Sequence, residues 1–217
     1  MAKQKGESLT WGQGHQVLKA ILDEVKAKGG VETEVARILT SKKLRESIAE
    51  LIVGTKRLVL NHLKLVADGI TVATAPFTKD SFFRDGPAKL YFWGNFENWV
   101  LRAIPETVPG IECALTKTEL TKAMTDLEIL SELGQPKPFS VAEFAAVIRD
   151  LIGRQSKGEE GVLLANGYAN IFYVQLEDER VVAVSVYWDS DDRDWYLYAD
   201  GLDAYRWSDG RCVFSRS

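Results

Sequence analysis

Apolar positions in the first part of the chain repeat at the spacing of α-helices. The clearest stripe, at i, i+3 and i+4 spacing, consists of Val17, Leu18, Ile21, Leu22 and Val25. This spacing is typical of an amphipathic helix that buries one face. Two shorter stripes of the same kind follow over residues 35–39 and 44–52. We therefore predict a helical lobe over residues 1–58.

The pattern changes in the middle of the chain. Apolar residues from Leu63 to Val72 flank Asp68-Gly69, which predicts a β-hairpin that turns at this dipeptide. Ser140 followed by Glu143 has the spacing of a capping box. Apolar positions at helical spacing come directly after it, so we predict a helix over residues 141–153.

The last part of the chain is rich in β-branched and aromatic residues, which favour strands. Four runs have this composition: residues 168–176, 181–188, 195–200 and 211–215. Acidic segments at 177–179 and 189–194 separate three of them and are typical of exposed turns. The predicted fold class is α+β, with a helical N-terminal lobe followed by an antiparallel β-meander packed against helices. We place a helical lobe at 1–58 and an α+β domain at 59–217, with one compact unit as the alternative.

The hairpin around residues 189–194 gives the sharpest expectation. A symmetric loop would place on one side the pairs Trp188–Trp195, Val186–Leu197 and Val184–Ala199. The opposite side would hold Tyr187–Tyr196 and Ser185–Tyr198, joined by Tyr173 if the preceding hairpin loop has three residues. The apolar side needs a cover, for which helix 141–153 is the candidate. The tyrosine side either contacts water and a partner or is buried beneath a second layer of the same protein.

Composition narrows the class of protein. Hydrophobic residues make up 46% of the chain and charged residues 27%, as in soluble globular proteins. The apolar runs are too short to span a bilayer, and the polar start lacks the apolar stretch of a secretory signal. We therefore expect a cytoplasmic protein with no membrane contact, in which Cys113 and Cys212 are reduced thiols.

Charge is distributed unevenly along the chain. Residues 1–64 contain 12 Lys and Arg against 7 Asp and Glu, whereas residues 159–217 contain 5 against 12. Residues 32–53 have the proportions of a helix-turn-helix, with Lys42, Lys43 and Arg45 at the start of its second helix. This segment is an alternative, nucleic-acid-binding site, although its charge is mild for that function.

The other candidates for chemistry form no coherent catalytic set. The acidic loop at 189–194 lacks the glycine that a calcium loop of the helix–loop–helix type needs at position 6. His15 and His62 are isolated histidines, without the pattern of a triad. We expect no cofactor and assign no metal ligand. A metal-dependent enzyme that uses acidic residues at the sheet edge is a further alternative.

Four segments have a distinctive sequence: Pro76–Phe83, Gln155–Gly161, Leu163–Tyr173 and Trp207–Arg216. Together they resemble parts of uncharacterised hypothetical proteins of candidate-phylum bacteria with very small cells. The likeness covers roughly residues 60–217. It implies a bacterial protein and carries no activity, ligand or catalytic residue.

The leading functional hypothesis is a non-enzymatic binding or interaction module. Tyrosine combines an apolar ring with a polar tip, so a sheet face of tyrosines tolerates water and also binds well. The predicted contact residues are Tyr173, Tyr187, Tyr196, Tyr198, Tyr205 and Trp207. The expected partner is a protein or a small ligand.

Overall fold

The structure, a computed structural model, describes residues 62–202 and 206–217. Its helices are α1 (Lys79–Phe83), α2 (Asp126–Glu132) and α3 (Val141–Gly153), with a π-helix at Phe96–Leu101. Its strands are β1 (Leu63–Thr74), β2 (Phe77–Thr78), β3 (Leu90–Phe92), β4 (Thr107–Val108), β5 (Ile111–Leu120), β6 (Met124–Thr125), β7 (Phe139–Ser140), β8 (Asn170–Gln175), β9 (Val181–Asp189), β10 (Asp194–Gly201), β11 (Arg206–Trp207) and β12 (Cys212–Arg216). Within these ranges, no helix has the length and apolar character needed to cross a membrane.

The described part of the chain is mostly β, so the predicted α+β fold class is wrong. Its main sheet has eight strands, seven of them in the order β1-β5-β12-β8-β9-β10-β3, while β7 pairs with β8 off this path. Three pairs are parallel: β3 with β10, β8 with β12, and β7 with β8. Two-stranded sheets form between β6 and β11 and between β2 and β4.

The predicted meander holds only for β8, β9 and β10, which pair antiparallel in sequence order. The fourth predicted strand, β12, instead inserts between β5 and β8. Pattern alone predicts that a segment is a strand, but neighbours in the sheet are set by long-range pairing. The helical lobe predicted for residues 1–58 lies outside the described residues.

The hairpin predicted at Asp68-Gly69 is also wrong. Strand β1 runs through this dipeptide and pairs antiparallel with β5, with register shifts between Leu65 and Ile70. Asp68 Oδ1 accepts hydrogen bonds from Thr116 Oγ1 at 2.6 Å and from Ser217 Oγ at 2.9 Å. These turn-forming residues therefore lie in an irregular part of an edge strand, which is a second context that favours them.

Helix α3 begins as predicted, at a capping box. Ser140 Oγ accepts the Glu143 backbone N–H at 3.3 Å, and Glu143 Oε2 accepts the Ser140 N–H at 2.8 Å. The buried face of the helix packs on the sheet, where the rings of Phe144 and Phe172 are 5.7 Å apart. Arg216 of β12 also donates to Glu143, so the first turn of α3 is tied to the centre of the sheet.

The apolar side of the β9–β10 hairpin is covered as expected. Trp188 and Trp195 pair across the two strands with ring centroids 5.5 Å apart, and both are buried. Trp195 Nε1 donates to the carbonyl of Gln155, just after α3, at 3.2 Å. The same core cluster contains the buried face of α3.

The opposite side of the sheet is covered over only part of its width. A second cluster of buried residues joins α2, β6 and β11 to β5, β8 and β12. At its centre, Asp126 Oδ1 accepts hydrogen bonds from Tyr173 Oη at 2.9 Å and from Trp207 Nε1 at 2.7 Å. The remaining width, formed by β9, β10 and β3, carries Tyr187, Tyr196 and Tyr198, which are only half-buried.

Candidate functional site

The tyrosine side of the β9–β10 hairpin forms in the predicted register. Tyr187 lies opposite Tyr196, and Ser185 lies opposite Tyr198, with Asp189 and Asp194 as the last pair before the loop. Because side chains alternate along a strand, these six residues share the face opposite the buried tryptophans.

Strand β3 extends this face with two aromatic residues that the sequence analysis missed. Tyr91 pairs with Tyr196 across the two strands. Trp93 follows the end of β3, and its backbone N–H donates to the Leu197 carbonyl at 3.1 Å, which holds Trp93 beside β10. We call Tyr91, Trp93, Tyr187, Tyr196 and Tyr198 the aromatic ladder. The sequence does crowd aromatic residues between 77 and 99, but nothing local indicates their parallel pairing with β10.

The rings of the aromatic ladder stack on one another across the strands. The centroid of Tyr196 is 4.7 Å from that of Tyr91 and 5.3 Å from that of Tyr187. Trp93 and Tyr198 stack at 4.9 Å, and Tyr187 joins the two rows at 5.8 Å from Tyr198. Small interplanar angles, 21° to 34°, relate these four pairs. The inner rings therefore cover each other's faces and present their edges and hydroxyls.

The outer end of the ladder is the most accessible. Tyr91 and Trp93 are each 46% exposed, whereas Tyr187, Tyr196 and Tyr198 are half-buried. Strand β3 is the last strand of the described sheet, so no further strand of that sheet stacks on the outer side of these two rings. Exposed neighbouring aromatic side chains of this kind are typical of interaction sites.

Local contacts raise the pKa of two of the inner tyrosines, Tyr196 and Tyr187. Tyr196 Oη donates to Asp192 in the hairpin loop, and this bond, together with partial burial, raises the pKa of Tyr196. Partial burial and a hydrogen bond with Tyr198 raise the pKa of Tyr187. Both phenols therefore stay protonated to a higher pH than an unperturbed tyrosine does.

The acidic loop beside the ladder is organised by bonds of its own. Asp189 Oδ1 accepts the backbone N–H groups of Asp191 at 2.9 Å and Asp192 at 3.0 Å. This is an Asx-type turn, in which a side chain closes the loop. Within residues 62–202 and 206–217, no group of three or more His, Cys, Asp or Glu side chains is arranged to hold a metal ion.

A shallow cavity of about 280 Å³ adjoins the ladder on the side away from β3. We call it the arginine pocket; its lining includes Ser185, Tyr187, Tyr198, Arg206, Trp207 and Arg211. Arg206 donates to Glu128 Oε2 at 2.9 Å and to the Ala123 carbonyl at 3.0 Å. The guanidinium of Arg211 instead lies 5.4 Å from the ring centroid of Tyr168.

The predicted contact residues fall into three groups. Tyr187, Tyr196 and Tyr198 come together in the ladder, whereas Tyr173 and Trp207 are only 3% and 4% exposed. A buried ring does not reach a partner in solution, so we leave these two out of the proposed surface. Tyr205 lies outside the described residues, as do the alternative nucleic-acid contacts Lys42, Lys43 and Arg45.

The histidine and cysteines of the described part have structural surroundings. His62 Nδ1 is 2.6 Å from Glu132 Oε1, and the His62 backbone N–H donates to Glu132 Oε2 at 2.8 Å. Burial raises the pKa of both the Cys113 and the Cys212 thiol, which disfavours the reactive thiolate.

No protein-family model, curated protein or solved structure matches the chain. The resemblance to hypothetical proteins of candidate-phylum bacteria therefore stays a prediction. A function has to be inferred from the residues of the ladder and the pocket themselves.

Proposed function

We propose that this chain is a binding module that holds a partner protein against the outer end of the aromatic ladder. The observation that carries the proposal is the 46% exposure of both Tyr91 and Trp93, side by side at the last strand of the described sheet. Their centroids are 6.1 Å apart at an interplanar angle of 72°, so they present two differently oriented rings to one partner. Aromatic side chains of this kind supply much of the binding energy at protein interfaces.

The stacked rings behind Tyr91 and Trp93 support this role. Side chains that are already ordered before binding lose less conformational entropy when a partner arrives. Tyr196 and Tyr198 stack on the inner sides of Tyr91 and Trp93, and Tyr196 is itself fixed by Asp192. The exposed rings are thus held by a rigid second row.

The acidic loop adds a charge preference. Asp189, Asp191, Asp192 and Asp194 surround the loop end of the ladder, with Arg193 and Lys89 as the neighbouring cations. This excess of carboxylates repels polyanions and favours a neutral or basic protein surface. The ladder therefore suits a protein partner better than nucleic acid.

The test is a comparison of Tyr91→Ala/Trp93→Ala with Leu127→Ala. Leu127 is 57% exposed on α2 and serves as the matched control, an exposed apolar residue away from the ladder. Each variant is immobilised and exposed to lysate of the source cells, and the retained proteins are identified. The affinity of each purified candidate is then measured by isothermal titration calorimetry.

We expect the double variant to bind at least tenfold more weakly than wild type, since a contact aromatic residue contributes more than about 1 kcal/mol. The Leu127→Ala chain should bind like wild type. Equal affinity of all three chains for every retained protein would overturn the proposal. Circular dichroism and thermal unfolding of the double variant establish that it is folded, and Tyr91→Leu/Trp93→Leu replaces it if it is not.

A further inference from the structure

The arginine pocket supplies a second kind of contact on the same face, and it differs chemically from the ladder. Two arginine residues, Arg206 and Arg211, line one cavity together with Tyr187 and Tyr198. Guanidinium groups match the geometry of carboxylates and phosphates, to which they donate paired hydrogen bonds. We propose that this pocket binds an oxyanion, a carboxylate or a phosphate group, carried by the ligand of this chain.

Arg211 is the principal donor in this proposal. Among the described residues no carboxylate forms an ion pair with it. Its guanidinium packs on the ring of Tyr168, and the residue as a whole is half-buried. Stacking on an aromatic ring positions the cation without using its N–H donors. Arg211 therefore retains hydrogen-bonding capacity toward the cavity.

The local backbone makes this stacking specific. Tyr168 lies directly over Gly210, where a Cβ atom would come within 2.7 Å of the tyrosine ring. Only a residue without a side chain lets the ring approach this closely. The Tyr168 ring therefore packs against the backbone of Gly210 and also stacks with the guanidinium of the next residue, Arg211.

Arg206 has a secondary role. Its bond to Glu128 Oε2 neutralises part of its charge, and the same bond fixes its position at the rim of the pocket. Glu128 in turn accepts the Thr125 N–H at 2.8 Å in the capping box of α2. The pocket is therefore built from a guanidinium held by Glu128, a guanidinium stacked on Tyr168 and two tyrosine side chains.

This inference rests on the proposed function for its biological meaning, because the pocket shares Tyr187 and Tyr198 with the ladder. The ligand would then combine an apolar or aromatic part, held by ring edges, with an oxyanion. The probes are phenyl phosphate and benzoate, which carry the two oxyanions on one ring, and benzyl alcohol, which carries none. Each probe is titrated into the full chain, and binding is followed by ¹H–¹⁵N correlation spectra.

We expect phenyl phosphate or benzoate to shift the amides of Gly167, Ala169 and Ser185, which line the pocket, in a saturable way. Benzyl alcohol should cause no saturable shift. The Arg211→Gln chain should bind roughly ten- to a hundredfold more weakly, as a lost charge-assisted hydrogen bond implies. Arg84→Gln is the control, since Arg84 is an exposed arginine paired with Asp80.

Saturation by one oxyanion alone supports the proposal and identifies which oxyanion the pocket accepts. Equal binding of benzyl alcohol, unchanged affinity of Arg211→Gln, or shifts confined to amides away from the pocket would each overturn it. The shift pattern needs no variant, so the proposal is tested even if Arg211→Gln does not fold. The small probes report on the arginine pocket alone. A failure of the oxyanion proposal is therefore distinguishable from a failure of Tyr91 and Trp93 to bind a partner protein.

Discussion

Gly158 gives the most direct test of how the sheet is supported beneath the ladder. It has a φ of +72°, and a Cβ built on it would lie 2.1 Å from Cε2 of Trp188. Gly158→Ala therefore combines two costs. A left-handed conformation costs an L-residue about 1–2 kcal/mol, and overpacking a tight site costs a further 1–3 kcal/mol or so. We expect the variant to lose roughly 2–5 kcal/mol of unfolding free energy.

Two other glycines separate these costs. Gly134 has a φ of +77° but no atom within 4 Å of its would-be Cβ, so Gly134→Ala should lose only the conformational part, about 1–2 kcal/mol. Gly153 lies at the end of α3 with open space around it. Gly153→Ala should be neutral or stabilising by up to about 1 kcal/mol, because alanine favours helices.

The measurement is urea unfolding followed by tryptophan fluorescence. Unfolding free energies are compared between chains that have the same m-value, the slope of the free energy against urea concentration. The six tryptophans of the chain give the signal. The expected order of unfolding free energy is Gly153→Ala at the top, then Gly134→Ala, then Gly158→Ala. If Gly158→Ala is no less stable than Gly134→Ala, then Trp188 does not pack against this loop, and the supporting side of the hairpin is misassigned.

Two further predictions concern polar groups in the fold. Asp126→Ala removes the acceptor of two buried donors, Tyr173 Oη and Trp207 Nε1, and should cost roughly 2–6 kcal/mol in urea unfolding; a loss below about 1 kcal/mol would contradict this bonding. Burial tends to raise the pKa of Glu143, but hydrogen bonds from Ser140 and attraction to Arg216 outweigh it and lower the pKa below its ordinary 4.5. The ionised form therefore stabilises the fold above that pH, and this stabilisation is lost as the pH falls through the lowered value. The gap in unfolding free energy between wild type and Glu143→Gln should be widest near neutral pH and should narrow below pH 4.5; a constant gap down to about pH 3 would refute the sign.

Local patterns in the sequence predict the features that depend on neighbouring residues. The alternation around residues 189–194 predicts that Trp188 faces Trp195 and Tyr187 faces Tyr196, because a strand repeats every two residues. The Ser140 capping box predicts the start of α3, because both of its bonds join residues three positions apart. These elements form as predicted.

Features that depend on distant pairing are not accessible in this way. Tyr91 enters the ladder through a parallel pair with Tyr196, 105 positions further along the chain. Asp68-Gly69 has turn-forming residues, yet it lies within a continuous edge strand because β5 supplies a partner on both sides of it. The outer end of the ladder and the overall order of the sheet are therefore visible only in the structure.

The position of β12 has a consequence for how the chain acquires its fold. Every other strand of the main sheet precedes Cys212, and β12 is the strand that joins β5 on one side to β8 on the other. Without β12, β1–β5 and β8–β9–β10–β3 would be two partial sheets with unpaired edges. Because β12 pairs with strands that lie far from it in the sequence, joining the two parts is a slow, non-local step. A folding intermediate in which β12 has not yet docked would expose both edges at once, to each other and to neighbouring chains.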